Sequence, residues 1–119
     1  MKLIGQVQRG QGFATLAFGL PTANLELTHA VTLAPGAYVA YTFIGHERYP
    51  SVAYIGPQAS EKFEVHLFNF SGDLYDQQLE VEILKMVSAH VPWKSEEQMR
   101  VKVAADVALA KAYFAKTGL

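Results

Sequence analysis

Apolar and polar positions alternate along most of the chain and take up a helical period only near its end. Ala37 to Gly45 is rich in aromatic and β-branched residues and reads as a strand. Gly45-His46-Glu47-Arg48 is polar and turn-like, and Tyr49 to Ile55 reads as the returning strand of a hairpin, with Pro50 near its start. Phe63 to Phe70 is the next strand. At period two, Phe63, Val65 and Leu67 share one face and Glu64, His66 and Phe68 the other. Ser71-Gly72-Asp73 signals a turn. In Leu79 to Met86, Leu79, Val81 and Ile83 alternate at first with Glu80 and Glu82, which read as solvent-facing. The last element starts at Ser95 and is expected to run to about residue 116. Ser95 with Gln98 fits a capping box, and Glu96 and Glu97 suit the positive end of the helix dipole. Met99, Val103, Val107, Ala110 and Phe114 then form an apolar stripe at three- and four-residue steps. One sticky face must lie against a sheet or close the end of a barrel. Several short antiparallel strands with one helix predict a mainly β fold, a small closed barrel, since closure removes exposed strand edges.

Composition narrows the function classes. The chain has 119 residues, which predicts one domain over 1–119. Half the residues are apolar, enough to build a core. A net charge of −1 argues against a broad electrostatic grip on nucleic acid or on an anionic membrane. The absence of cysteine excludes disulfides, thiolate metal sites and a thiol nucleophile. No apolar run approaches the roughly 20 residues that span a bilayer. Met1 to Gln6 turns polar too early for a signal peptide, so the expectation is a cytoplasmic protein, and a monomer.

Candidate chemistry begins with glycine. Gly5, Gly10, Gly12 and Gly19 lead to Leu20-Pro21-Thr22-Ala23-Asn24. Glycines allow close backbone approach to a ligand, and their N–H groups can point at phosphate oxygens. Glycines alone more often serve a turn, and neither a Walker A loop nor a dinucleotide fingerprint is present. Thr22 and Asn24 stand two apart, so in an extended chain both side-chain oxygens face one side. Hard oxygens so placed suit Mg²⁺, which takes its remaining ligands from water and phosphate.

The stretch from Gly5 to Asn24 resembles the N-terminal part of riboflavin kinases, where a Gly-rich strand and loop leads to Gly-x-Pro-Thr-Ala-Asn. Phe63-Glu64-Val65-His66-Leu67-Phe68-Asn69-Phe70, then Gly72-Asp73-Leu74-Tyr75, looks like the second signature of that family, a Glu-x-His strand followed by Asp-Leu-Tyr. Trp93, the capping Ser95 and Asp106 in the final helix fit its end. The resemblance implies a six-stranded antiparallel barrel of Greek-key type with a C-terminal helix. It implies transfer of the ATP γ-phosphate to the terminal ribityl hydroxyl of riboflavin, giving FMN and ADP. Thr22 and Asn24 then bind Mg²⁺ and nucleotide phosphate, and Glu64 is the catalytic base. Gly10, Leu67, Asn69 and Tyr75 line the nucleotide site, and Trp93 packs near the flavin. Many bacterial members carry an N-terminal adenylyltransferase domain that makes FAD. A chain of this length has no space for one and is expected to stop at FMN.

The residue types suit phosphoryl transfer, which needs positioning, charge neutralisation and an acceptor for the hydroxyl proton. By residue type alone, Glu64 reads as a solvated strand carboxylate, His66 as a packed residue and Trp93 as a core or lid side chain. His29, His46, His66 and His90 show no metal spacing. Three segments depart from the family. Ala14-Thr15-Leu16-Ala17 lacks the basic residue common in that loop. Tyr54-Ile55-Gly56-Pro57-Gln58-Ala59-Ser60 lacks an Arg-Pro-Thr segment. Val87-Ser88-Ala89-His90 stands where Leu-Arg and a nearby Glu are usual. These losses leave nucleotide choice open between ATP and CTP. They also keep two alternatives in play: a non-catalytic flavin- or nucleotide-binding barrel, and a barrel used only for protein contacts.

Overall fold

In the computed structural model, residues 1–8, 22–27, 32–56, 62–70, 72, 74–92 and 94–116 are described. Six strands, β1 (Lys2–Gln8), β2 (Ala23–Leu27), β3 (Gly36–Ile44), β4 (Glu47–Ile55), β5 (Lys62–Leu67) and β6 (Gln78–Ala89), precede one helix, α1 (Glu96–Lys116). The strands close into a barrel in the order β1-β2-β5-β4-β3-β6. Every neighbouring pair is antiparallel. The β2-to-β3 and β5-to-β6 connections each jump across the barrel, which gives the Greek-key path expected from the resemblance.

Period-two alternation fills the barrel. Leu3, Val7, Leu25, Phe63, Val65, Leu79 and Val81 point inward and are buried together. A second apolar layer lies outside the wall. There Val39, Val52, Tyr54 and Phe68 meet Met99, Val103, Ala110 and Phe114 of α1. Strands β3 and β4 are therefore covered on both faces, and Ser51 to Ile55 is buried at every residue.

Local boundaries differ from the sequence expectation in four places. The β3–β4 turn is only Gly45-His46, because Gly45 adopts φ 62° and reverses the chain at once; Glu47 and Arg48 already pair with Ile44 and Phe43. Strand β5 ends at Leu67 rather than Phe70, since Asn69 takes a left-handed φ of 61° that no strand accommodates. Strand β6 runs to Ala89, past Met86. Register shifts opposite Ala37/Tyr38 and Val39/Ala40 break its alternation, so Met86 faces Tyr38. In the helix the buried stripe passes through Asp106 rather than Val107, which is half-buried. The N-terminal cap forms: Gln98 N–H donates to Ser95 Oγ at 3.1 Å. Gln98 Oε1 accepts from the Lys94 N–H at 2.8 Å, one residue before the cap. Of the Ser71-Gly72-Asp73 turn only Gly72 is described, at φ 141°.

Gly36 opens β3 and lets β6 close over it. A Cβ there would collide with the Ser88 carbonyl oxygen, so only glycine permits this approach beside the helix. Among the described residues no helix is long and apolar enough to cross a membrane.

Candidate active site

The β2–β5 ladder sets Asn24 directly opposite Glu64, flanked by Ala23↔Val65 and Leu25↔Phe63. Leu25, Phe63 and Val65 fill the barrel, so alternation turns Asn24 and Glu64 outward, side by side on the wall. Thr22 precedes β2 by one residue and shares that side. Its Oγ1 donates to Glu64 Oε1 at 2.9 Å. Glu64 is only 7% exposed although it lies on the outer face. A carboxylate so covered requires polar partners, and Thr22 is one. The structure thus unites three residues that the sequence separates by up to 42 positions.

The donor set suits a hard cation. Thr22 spends its hydroxyl proton on the carboxylate, so toward a cation its Oγ1 acts as a neutral oxygen donor. The Asn24 carbonyl is a second neutral oxygen beside it. Among the described residues no group of three His, Asp or Glu could hold a metal by itself. A cation here must bring ligands of its own, as Mg²⁺ does with phosphates.

Tyr54 links this cluster to the helix. It lies opposite Glu64 on the β4–β5 ladder and also lines a cavity of about 240 Å³ beneath α1, with Ala37, Ile55, Met99 and Val103 among its apolar walls. Burial, reinforced by the Asp106 and Glu64 carboxylates, pushes the Tyr54 phenol far above its ordinary range. The phenol therefore stays protonated throughout neutral and mildly alkaline pH. Above about pH 10 the unfolded chain ionises this group and the folded chain does not. Stability from it is complete below that point and is lost as pH rises through the folded value. Tyr54→Phe should leave the phenolate absorbance gained between about pH 9 and 11 unchanged, and should flatten the alkaline fall in stability. Loss of one tyrosine's absorbance in that window contradicts the raised value.

On the other wall of the cavity, Asp106 is 2% exposed. Ser88 Oγ lies 2.6 Å from its Oδ1. Lys102 Nζ donates to Asp106 Oδ1 and Oδ2 at 3.0 and 2.9 Å, and to Ser88 Oγ at 2.6 Å. Sequence reading placed Asp106 in the final helix but missed this cluster and Tyr54. A Lys–Asp pair four apart on a helix was the available signal, and it reads equally well as a surface ion pair.

The other expected positions are dispersed. Leu67 is buried in the barrel core, and Asn69 is exposed at the turn that ends β5. Both border a second cleft, shared with His66, Phe68 and Lys111. Tyr75 stands exposed before β6, next to Asp76, whose N–H donates to the Val7 carbonyl at 3.0 Å. Gly10 and Trp93 lie outside the described residues, as do Ala14 to Ala17.

Comparison with known proteins agrees with this fold. The family model described as riboflavin kinase, Flavokinase, matches residues 1–114. A bifunctional riboflavin kinase/FMN adenylyltransferase of Pseudomonas fluorescens is 33% identical over 93% of this chain and 37% of its own length. Its counterpart in Haemophilus influenzae is 31% identical over 95% of this chain and 38% of its own. The chain therefore spans little more than a third of these relatives. Among solved structures, Trypanosoma brucei riboflavin kinase superposes with a TM-score of 0.62 at 18% identity, covering 99% of this chain and 82% of that one. A Streptococcus pneumoniae protein described as a macrolide-efflux protein superposes at 0.77 with 27% identity, over 92% of this chain and 36% of that one. With the barrel, the Thr22–Asn24–Glu64 cluster and a family match over nearly its whole length, the chain belongs to the riboflavin kinase family.

Proposed function

We propose that this chain transfers the γ-phosphoryl group of ATP to the terminal ribityl hydroxyl of riboflavin, yielding FMN and ADP. The observation that carries the reading is the 2.9 Å hydrogen bond from Thr22 to Glu64, with Asn24 alongside. In this reaction the ribityl oxygen forms a bond to the γ-phosphorus as the bond to the bridging oxygen of ADP breaks. The hydroxyl proton passes to the Glu64 carboxylate. Thr22 helps to fix the carboxylate by its hydrogen bond to Oε1, which limits the freedom lost when substrate binds. The Thr22 hydroxyl and the Asn24 carbonyl would hold Mg²⁺, which would neutralise phosphate charge when bound. Neutral ligands leave most of the metal's charge for the nucleotide.

In this reading the flavin ring takes the cavity beneath α1, whose Tyr54 wall lies opposite Glu64 in the β4–β5 ladder, and the ribityl chain extends toward that carboxylate. Leu67, Asn69 and Tyr75, with Gly10, belong in this reading to the nucleotide side, and Trp93 to the flavin side. The test is direct. Protein incubated with riboflavin, ATP and Mg²⁺ should form FMN, seen by chromatography, and chelation of the metal should stop it. CTP in place of ATP reports nucleotide choice. Binding of flavin or nucleotide without turnover supports a non-catalytic barrel instead, the reading favoured by the absence of Lys and Arg from residues 14–17. Neither binding nor turnover leaves a barrel for protein contacts.

A further inference from the structure

The reaction above makes no use of Lys102, although its side chain lines the cavity with Asp106. We propose that Lys102, pinned by Asp106 and Ser88, is a specificity-determining residue that donates a hydrogen bond to the carbonyl edge of the flat heterocycle bound under α1. This inference rests on the kinase reading and deepens it.

Three observations converge. First, the walls contributed by Ala37, Ile55, Met99 and Val103 are apolar, and Lys102 is the only lysine or arginine among the described lining residues. An apolar slot with a few placed polar groups takes a planar ring and orients it by its polar edge. A polyol chain in the same slot would bury hydroxyls against methyl and thioether groups without partners. Second, the ammonium is already positioned. Its three donors reach Ser88 Oγ at 2.6 Å and the two Asp106 carboxylate oxygens at 2.9 and 3.0 Å, so a ligand carbonyl takes over one of the two bonds to Asp106 and leaves the other in place. A side chain fixed before the ligand arrives loses little freedom on binding. Third, Asp106 balances the charge of Lys102 at 2.9 Å. The pair offers a strong donor without net charge, which favours a neutral carbonyl-bearing ring over an anion.

The experiment uses the whole chain and two ligands, riboflavin and lumichrome, the latter carrying the ring and its carbonyls without the ribityl chain. Affinities are read by fluorescence quenching for wild type and Lys102→Met. A second variant, Lys102→Gln, keeps an N–H donor for Asp106 and carries the test if the methionine variant does not fold. Both ligands should bind about tenfold more weakly to the variants, in line with loss of a hydrogen bond from a charged donor. The KM for riboflavin should rise in step while the KM for ATP stays put, and Lys102→Arg should recover part of the loss. Lumichrome affinity unchanged by the substitutions, or no lumichrome binding by wild type, overturns the proposal. So does an equal rise in the KM for ATP, which marks a merely structural role. Wild type that binds no riboflavin takes down the kinase reading and this inference together. Wild type that makes FMN, with variants that bind both ligands normally, removes the role of Lys102 and leaves the kinase reading intact.

Discussion

Glu64→Gln should slow FMN formation by roughly 10²- to 10⁴-fold, the usual contribution of a positioned proton acceptor. Glutamine has nearly the same shape, and its amide carbonyl can still accept the Thr22 hydroxyl that now lies 2.9 Å from the carboxylate. On the proposed mechanism, what is lost is the ability to take the ribityl proton. Riboflavin and ATP should therefore still bind, and the deficit should fall on kcat rather than KM. Stability should hold or rise slightly, because Glu64 is 7% exposed and a neutral amide is less costly to bury than a carboxylate. Three measurements separate the effects: chromatographic turnover, flavin quenching and thermal unfolding. A variant that keeps turnover within tenfold of wild type shows that another group takes the proton. A variant that loses binding and turnover together points to a role in shaping the pocket.

The ingredients of this site were legible in the chain, but their adjacency was not. Thr22 and Asn24 could be placed on one side of an extended segment by spacing, and Glu64 on a strand face opposite Val65. Nothing in alternation says which strand pairs with which. The Asn24↔Glu64 register follows from barrel closure, where β2 meets β5 across a Greek-key jump. The wall containing Tyr54 was opaque for a different reason. Ser51 to Ile55 is buried on both faces, inward by the barrel and outward by α1, so no polar alternation marked which residues faced the helix.

The helix shows the limit most clearly. Hydrophobicity draws the stripe through Val107, and four of its five members are indeed buried. At the remaining position the packed residue is Asp106, because Ser88 faces it from β6 and Lys102 sits one turn before it on the same face. That preference depends on the position of Ser88, which is set by two register shifts between β3 and β6. Local propensity contains no trace of either shift. The capping residues, by contrast, act within one helical turn, and Ser95 caps Gln98 as the sequence predicts.

Phe114→Ala should destabilise the protein by about 3–5 kcal/mol, the range for removing a packed phenylalanine. Phe114 is fully buried and lies in the outer layer, with ring centroids 5.3 Å from Tyr41 and 6.3 Å from Phe68. It anchors the C-terminal half of α1 to β3 and to the end of β5, while Met99 and Val103 anchor the N-terminal half. The inner core contains none of these residues, so the substitution attacks the docking of the helix and spares the packing inside the barrel. For a domain of this size the midpoint should fall by roughly 10–20 °C. Riboflavin binding should weaken too, although Phe114 does not line the cavity, because a loosened helix no longer holds Met99 and Val103 over it. Leu109→Ala is the matched control. Leu109 is 48% exposed and lies outside the buried stripe, and its loss should cost no more than about 0.5 kcal/mol. Calorimetry and a flavin titration on the two variants decide the matter. Equal small effects from both would mean that the barrel stands, and the cavity stays closed, without the grip of the helix.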